Sequence, residues 1–168
     1  MKDLIKFLTR YEKFIFIVMM VVPWLSAPFL GKKTFKRFTP GAVFICIFVL
    51  IESLFAHKKL WWLFHKRLFP KTIGELPLII GPFFIGTLWI MKFTFGNFKR
   101  YFLTNFCIDA FFVYILIPML KKLGYASLIK LSKFNFLLIF LFKAALLYLF
   151  QIIIEKKKIL KWNLKRQL

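Results

Sequence analysis

The sequence alternates between long apolar stretches and short basic ones. A helix of about 20 apolar residues is long enough to cross a lipid bilayer. Five apolar runs approach this length, and they cover residues 14–30, 40–56, 76–95, 101–120 and 134–154. The pattern therefore predicts an all-α fold, a polytopic membrane helical bundle of about five hydrophobic helices that forms one integral membrane domain over residues 1–168.

The segment His57–Ile73 differs from the apolar runs because it mixes aromatic and basic side chains. It carries too many charges to span a bilayer, and this mixture is typical of the head-group level. We expect an amphipathic helix lying on the membrane surface. Its candidate contacts with lipid head groups are Lys58, Lys59, Trp61, Trp62, Lys66 and Arg67.

The number of crossings and their orientation follow less directly from the pattern. The first run is short and holds Pro23 and Pro28, and glycine and proline punctuate the third run. With five crossings, Lys and Arg divide evenly between the two sides, so the positive-inside rule does not choose an orientation. We favour five membrane helices over four. The very basic tail Lys156–Leu168 favours a cytoplasmic C-terminus.

Composition supports a membrane protein and suggests a lipid partner. The chain is 61% hydrophobic, contains 25 Phe and has a mean hydropathy of +0.74, well above the range of soluble domains. The net charge is +21, but the basic residues lie between apolar runs rather than on one soluble face. We therefore expect anionic lipids as the counter-charge and no nucleic-acid partner.

Two charges lie deep inside apolar runs, Asp109 in the fourth and Lys143 in the fifth. An ionisable group at that depth is costly and suggests a functional site. At about 1.5 Å per residue, both lie roughly 14–17 Å from the loop that joins the two runs. An antiparallel hairpin would place them at one level, so we expect them to pair.

Further polar residues extend this pair to a candidate intramembrane polar cluster. Asn105 precedes Asp109 by one helical turn and shares its face. Gln151 follows Lys143 at two successive steps of four residues, so it lies on the same stripe. Glu52 lies near the end of the second run, where it could also reach an aqueous rim.

No motif in the sequence points to catalysis. There is no acidic pair for a metal, no Ser/His/Asp set and no glycine-rich phosphate loop. The two histidines, His57 and His65, have no further ligand nearby in the sequence. We expect no enzymatic activity, no metal and no cofactor.

Several stretches carry a resemblance along most of the chain. They are Pro28–Lys33 with Lys36–Phe38, Gly81–Phe83 with Gly86–Trp89, Thr94–Phe98, Asn105 with Asp109, and Leu147–Gln151. In these stretches the chain resembles small multi-span membrane proteins of endospore-forming, low-GC Gram-positive bacteria that have no established activity. The resemblance implies a bacterial plasma-membrane protein and supplies no catalytic residue.

Three functions fit these features. The first is a structural or accessory membrane protein, in which the Asp109–Lys143 pair fixes helix register. The second is a small transporter or channel that uses the same two residues, and it would need a homo-oligomer or a membrane protein partner because five helices are few. The third is a protein that binds anionic lipids through the basic aromatic loop Lys58–Phe69.

Overall fold

The computed structural model describes residues 12–65, 74–122 and 124–167 and forms an all-α bundle. The predicted fold class is therefore confirmed. Four of the helices are long and apolar enough to cross a membrane. They are α2 (Lys32–Lys59), α3 (Leu76–Thr94), α4 (Phe98–Lys122) and α5 (Lys133–Gln167).

The first apolar run forms a shorter, interrupted helix over residues 12–30, here called α1. It consists of an α-helix at Glu12–Val21, a 3₁₀ turn at Val22–Ser26 and a last α-turn at Ala27–Leu30. Two prolines lie at the beginning of the second and third parts. Proline has no N–H to donate, so it favours helix starts and interrupts helix interiors.

Helix α1 runs alongside α3 in the same direction. The indole N–H of Trp24 donates to the carbonyl of Ile80 at 3.1 Å, and further along the ammonium of Lys92 donates to the carbonyl of Phe29 at 2.9 Å. Gly81 makes the close approach possible, because an added Cβ would lie 2.6 Å from the carbonyl oxygen of Met19.

The four long helices form a closed ring. Helix α2 packs against α3 and α5, and α4 packs against the same two helices. Many large apolar side chains point outward, such as Leu103, Ile115 and Phe142, which are 57–64% exposed. An apolar exterior of this kind needs lipid rather than water as its surroundings.

Two short strands close one end of the ring. Strand β1 (Trp62–Phe64) pairs antiparallel with β2 (Ala126–Leu128), so the two loops at this end are joined by a ribbon. Helix α2 ends just before strand β1. The residue that follows the helix, Leu60, adopts a left-handed conformation with φ of 55°.

The amphipathic helix expected at His57–Ile73 is wrong for the described part of that segment, which forms the end of α2 and strand β1 instead. The beginning of that segment continues α2 and the next part pairs as a strand, because the partner strand satisfies its backbone N–H and C=O groups. The remainder, residues 66–73, lies outside the described residues.

Two helices of the ring contain a wider π-helical turn. In α3 it covers Ile79–Phe83 and includes Pro82. In α4 it covers Phe112–Leu116, and Pro118 follows two residues later. Such turns arise where the regular hydrogen-bond ladder is interrupted, and they are frequent at functional sites.

The buried side chains divide into two main clusters at opposite ends of the ring. The packed end lies where α2 begins and α5 leaves the bundle, and its core is Leu30, Phe38, Ala42, Ile45, Ile85, Leu88, Met91, Tyr101, Ala144, Leu147 and Tyr148. The cavity end lies beneath the ribbon, and its core is Ala56, Trp62, Phe64, Val113, Ile117, Ala126, Phe136 and Leu137.

Candidate functional site

A cavity of about 250 Å³ lies inside the ring at the cavity end. All four long helices and both strands of the ribbon contribute to its wall. On α4 the lining extends from Asn105 to Ile117, which is a depth of ~18 Å at the rise of an α-helix. The cavity therefore reaches from the ribbon to about the middle of the apolar bundle.

The wall is mostly apolar and carries a small set of polar side chains. Aliphatic and aromatic residues from every helix form the larger part, including both π-helical turns. The polar lining residues with hydroxyl, amide or charged groups are Ser53, Glu75, Thr87, Asn105, Asp109, Ser127 and Lys143. An apolar cavity with a few placed polar groups is the usual form of a small-molecule site.

Lys143 forms a buried ion pair, but its partner is Glu52 rather than Asp109. The ammonium nitrogen lies 2.7 Å from Oε2 of Glu52, and the two side chains are only 5% and 10% exposed. The expected Asp109–Lys143 pair is therefore wrong. The ring explains the difference, because α5 packs against α2 as well as α4 and a third helix competes for the lysine.

Glu52 was expected to reach an aqueous rim, but its side chain is buried inside the bundle. Its Oε1 is buried and has no hydrogen-bond partner. The side chain is thus held inside the bundle by the ion pair alone, which leaves one oxygen unsatisfied at high cost.

Asp109 lines the same cavity without a direct partner. Its side chain is half-buried, and it makes no hydrogen bond or ion pair with any described residue. Lys143 is close enough to attract it electrostatically. One turn earlier, the amide of Asn105 lines the cavity too and donates to the carbonyl of Tyr101 at 2.8 Å.

Glu75 is a site residue that the sequence analysis missed. The hydroxyl of Ser53 and the indole N–H of Trp62 each donate to one oxygen of its carboxylate. His57 lies beside it, with Nε2 at 3.4 Å from Oε1. Glu75 lies directly before the third apolar run and two residues before Pro77, a position typical of a loop between helices. Its place among apolar residues was the feature of the sequence that could have identified it.

Acidic residues concentrate at this cavity far beyond their share in the chain. The chain has six acidic residues and 27 basic ones. Three of the acids, Glu52, Glu75 and Asp109, lie on or beside the cavity wall, and the described residues contribute one lysine to it, Lys143. Because this lysine already pairs with Glu52, the remaining wall carries an excess of carboxylates.

Gln151 lies apart from these residues, at the packed end. Its side-chain N–H₂ donates to the carbonyl of Arg37 at 3.2 Å and to Glu155 at 3.1 Å. Arg37 and Glu155 form a bidentate ion pair beside Gln151. Of the predicted polar cluster, the structure thus brings Asn105, Asp109, Lys143 and Glu52 together and separates Gln151.

The expected lipid head-group contacts also divide. Lys58 and Lys59 are exposed at the end of α2, and Trp61 is half-buried. Trp62 is only 7% exposed and points to Glu75, so it is no head-group contact. Lys66 and Arg67 lie outside the described residues.

Comparison with known proteins gives no further guide to the site. No family model, no curated protein and no solved structure matches the chain. Within the described ranges, no three His, Cys, Asp or Glu side chains lie close enough together to hold a metal ion.

Proposed function

We propose that this chain is a multi-pass protein of the bacterial plasma membrane that binds a small, largely apolar molecule inside its own helix bundle, as a small transporter or ligand-binding protein would. The observation that carries this proposal is the cavity of about 250 Å³ into which Asp109 faces with no partner among the residues that the structure describes. An intramembrane carboxylate is expensive to maintain and typically serves a ligand, a proton or an ion.

The cost of the cavity supports binding over a purely structural role. Unfilled volume inside a protein lowers its stability in proportion to the volume. A clamp between helices needs no cavity, as the tightly packed opposite end shows. Both π-helical turns, Ile79–Phe83 and Phe112–Leu116, contribute to the cavity wall.

The position of the polar groups supports a site within one chain. Asp109 and Lys143 line a cavity to which all four long helices of one chain contribute. A single chain therefore supplies the wall residues on which this proposal rests.

A structural role fits the packed end best. There Gln151 joins α5 to α2 through the carbonyl of Arg37, and Tyr101 of α4 donates to the carbonyl of Ala144 in α5 at 2.9 Å. These contacts hold three helices together. The accessory role that the sequence favours would reside in this end of the bundle.

The binding proposal is tested by filling the cavity. Gly86 lines it, and an added Cβ there would meet no atom within 4 Å. Radiolabelled octanol, a small amphiphile, is bound to the protein in lipid nanodiscs, with protein-free nanodiscs as background. We expect saturable binding by the wild type and its loss in Gly86→Phe.

The matched control is Ile80→Phe, because Ile80 lies on the same helix but is 41% exposed toward the exterior. This variant should bind octanol like the wild type. Equal binding by wild type and Gly86→Phe would mean that octanol partitions into lipid and that the cavity is not a binding site.

The orientation forms a further part of the proposal. We place the C-terminus in the cytoplasm, where the basic residues after Glu155 would meet anionic lipids. The exposed Lys58 and Lys59 would meet head groups on the other side, because three spanning helices, α3 to α5, separate them from the C-terminus. Reporter fusions at the C-terminus that are active only in the cytoplasm or only outside it test this orientation.

A further inference from the structure

We infer that the ligand of this cavity is an amphiphilic cation, an ammonium group carried on an apolar body. The inference rests on the proposed binding function and names its ligand class. Its basis is the balance of charge around the cavity, together with one buried and unsatisfied carboxylate oxygen.

Lys143, the one lysine that the described residues contribute to the cavity wall, is already neutralised. Its ammonium contacts Glu52 at 2.7 Å, and this pair is almost completely buried. An anionic ligand would have to compete with a carboxylate that is permanently held against the lysine. Among the described residues, the wall thus offers no uncommitted lysine or arginine to an anion.

The carboxylates exceed this single positive charge. Asp109 has no partner among the described residues, and Glu75 is held by Ser53 and Trp62 through hydrogen bonds. Oε1 of Glu52 is buried and lacks any hydrogen-bond donor. A cation entering beside Asp109 would supply the counter-charge that this carboxylate lacks, in surroundings where such a pair is strongly favoured.

The walls define the rest of the ligand. Around Asp109 the lining is aliphatic and aromatic, with Ile108, Phe112, Phe140 and Ala144 among its members. A strongly hydrated metal or alkali ion would lose its water there without enough oxygen ligands in return. An ammonium on an alkyl or aryl body suits both the carboxylate and the walls.

The test compares three probes that share one alkyl chain and differ in charge. Octylamine is cationic at neutral pH, octanol is neutral and octanoate is anionic. Each competes with radiolabelled octanol for the wild-type protein in nanodiscs of an uncharged glycolipid, which contain no amine and attract neither charged probe. We expect octylamine to compete about tenfold or more better than octanol, and octanoate to compete least.

Variants then assign the preference to one carboxylate. Asp109→Asn should reduce the affinity for octylamine to the level that the same variant shows for octanol. Asp109→Glu should restore the preference. The control Cys107→Ser lies two residues away on α4 at an exposed position and should behave like the wild type.

The outcomes separate this inference from the binding proposal. If octanol competes as well as octylamine, the cavity does not prefer a cation and the inference is overturned. The cavity would still bind octanol, so the binding proposal would stand. If octanoate competes best, the ligand is an anion that displaces Glu52 and the inference is overturned. If octanol itself never binds saturably, the binding proposal fails first. The wild-type comparison decides these cases even where Asp109→Asn does not fold.

An amine lipid and a free amine share this chemistry, and lipid composition distinguishes them. Nanodiscs that also contain phosphatidylethanolamine present a lipid ammonium at high local concentration. Weaker octylamine binding in these discs would identify the lipid as a competing ligand. Unchanged binding would identify a free amphiphilic amine as the class that the cavity accepts.

Discussion

The packed end and the cavity end each join α2 to α5 by one ion pair, with opposite polarity. At the packed end the base, Arg37, lies on α2 and the acid, Glu155, on α5. At the cavity end the acid, Glu52, lies on α2 and the base, Lys143, on α5. Both contacts measure 2.7 Å. A slip or reversal of either helix would bring like charges together, so the two pairs jointly specify one register.

Burial distinguishes the two pairs. The side chains of Arg37 and Glu155 are 50% and 23% exposed, whereas those of Lys143 and Glu52 are 5% and 10% exposed. An exposed pair is screened and contributes little to stability. A buried pair gains more attraction but must also offset the loss of hydration of both groups.

The neighbours of each pair indicate what it does. Arg37 also stacks on the rings of Phe38 and Phe95 at about 5 Å, so the packed end surrounds its pair with close contacts. At the cavity end, Lys143 lies over the ring of Phe140 at 4.1 Å, and the pair also has open volume and two further carboxylates, Glu75 and Asp109, nearby. The packed end is therefore suited to an architectural role, and under the proposed function a ligand would balance the charge at the cavity end.

The largest expected effect is the loss of the buried pair. Lys143→Met should lower the free energy of unfolding by about 3–5 kcal/mol, because Glu52 would remain buried without a counter-charge. The measurement is equilibrium unfolding of the purified protein in nanodiscs.

Double variants identify the partner of the lysine. Lys143→Met with Glu52→Gln should recover most of the loss, because no isolated charge remains. Lys143→Met with Asp109→Asn should recover little, since the structure gives that pair no direct contact. The opposite result would show that Asp109 is the true partner and that the ring of helices is wrong at this point.

The second effect compares one substitution at both ends. Gly41→Ala at the packed end would place a Cβ 2.7 Å from Oε1 of Gln151, which is fully buried and has no room to withdraw. We expect a loss of about 1–3 kcal/mol from overpacking. Gly86→Ala on the cavity wall meets nothing within 4 Å and should cost no stability.

Unfolding of both glycine variants under the same conditions checks this difference. Gly86→Ala should even gain up to about 1 kcal/mol, because alanine is the better helix former. Equal losses in the two variants would mean that the cavity wall is packed as closely as the other end.

The third effect concerns a single hydrogen bond between α4 and α5. Tyr101 is fully buried, and its hydroxyl donates to the carbonyl of Ala144 at 2.9 Å. Tyr101→Phe should cost about 0.5–1.5 kcal/mol, the usual net value of such a bond. The control Tyr114→Phe changes a tyrosine on the same helix that is 47% exposed, and its unfolding free energy should match the wild type. Equal values for all three proteins would contradict the interhelical bond.

The helices could be predicted from the sequence because hydrophobicity and length alone set them. The second to fifth apolar runs correspond to α2 through α5, and the first to the interrupted α1. The ribbon could not be predicted this way. Each of its strands, Trp62–Phe64 and Ala126–Leu128, has three residues, and they pair across more than 60 residues of chain. The local mixture of aromatic and basic residues gives no sign of such a partner.

The candidate site was partly predictable for a similar reason. Depth follows from counting residues, so Asp109 and Lys143 were expected at one level, and both do line one cavity. Pairing depends also on helix rotation and on which third helix lies nearby. In the observed arrangement Lys143 pairs with Glu52. The same arrangement places Glu75 in the site, although the sequence around it is typical of a loop.

The smallest expected effect is the loss of the exposed pair at the packed end. Arg37→Gln should cost no more than about 1 kcal/mol, because Glu155 keeps its hydrogen bond from Gln151 and is open to water and lipid head groups. The loss should shrink further at high salt, which screens exposed charges but not the buried Lys143–Glu52 pair. Unfolding at low and high salt for Arg37→Gln and Lys143→Met therefore contrasts the two ends directly. A large, salt-independent loss in Arg37→Gln would show that the packed end also depends on a buried charge, and the two ends would then differ only in open volume.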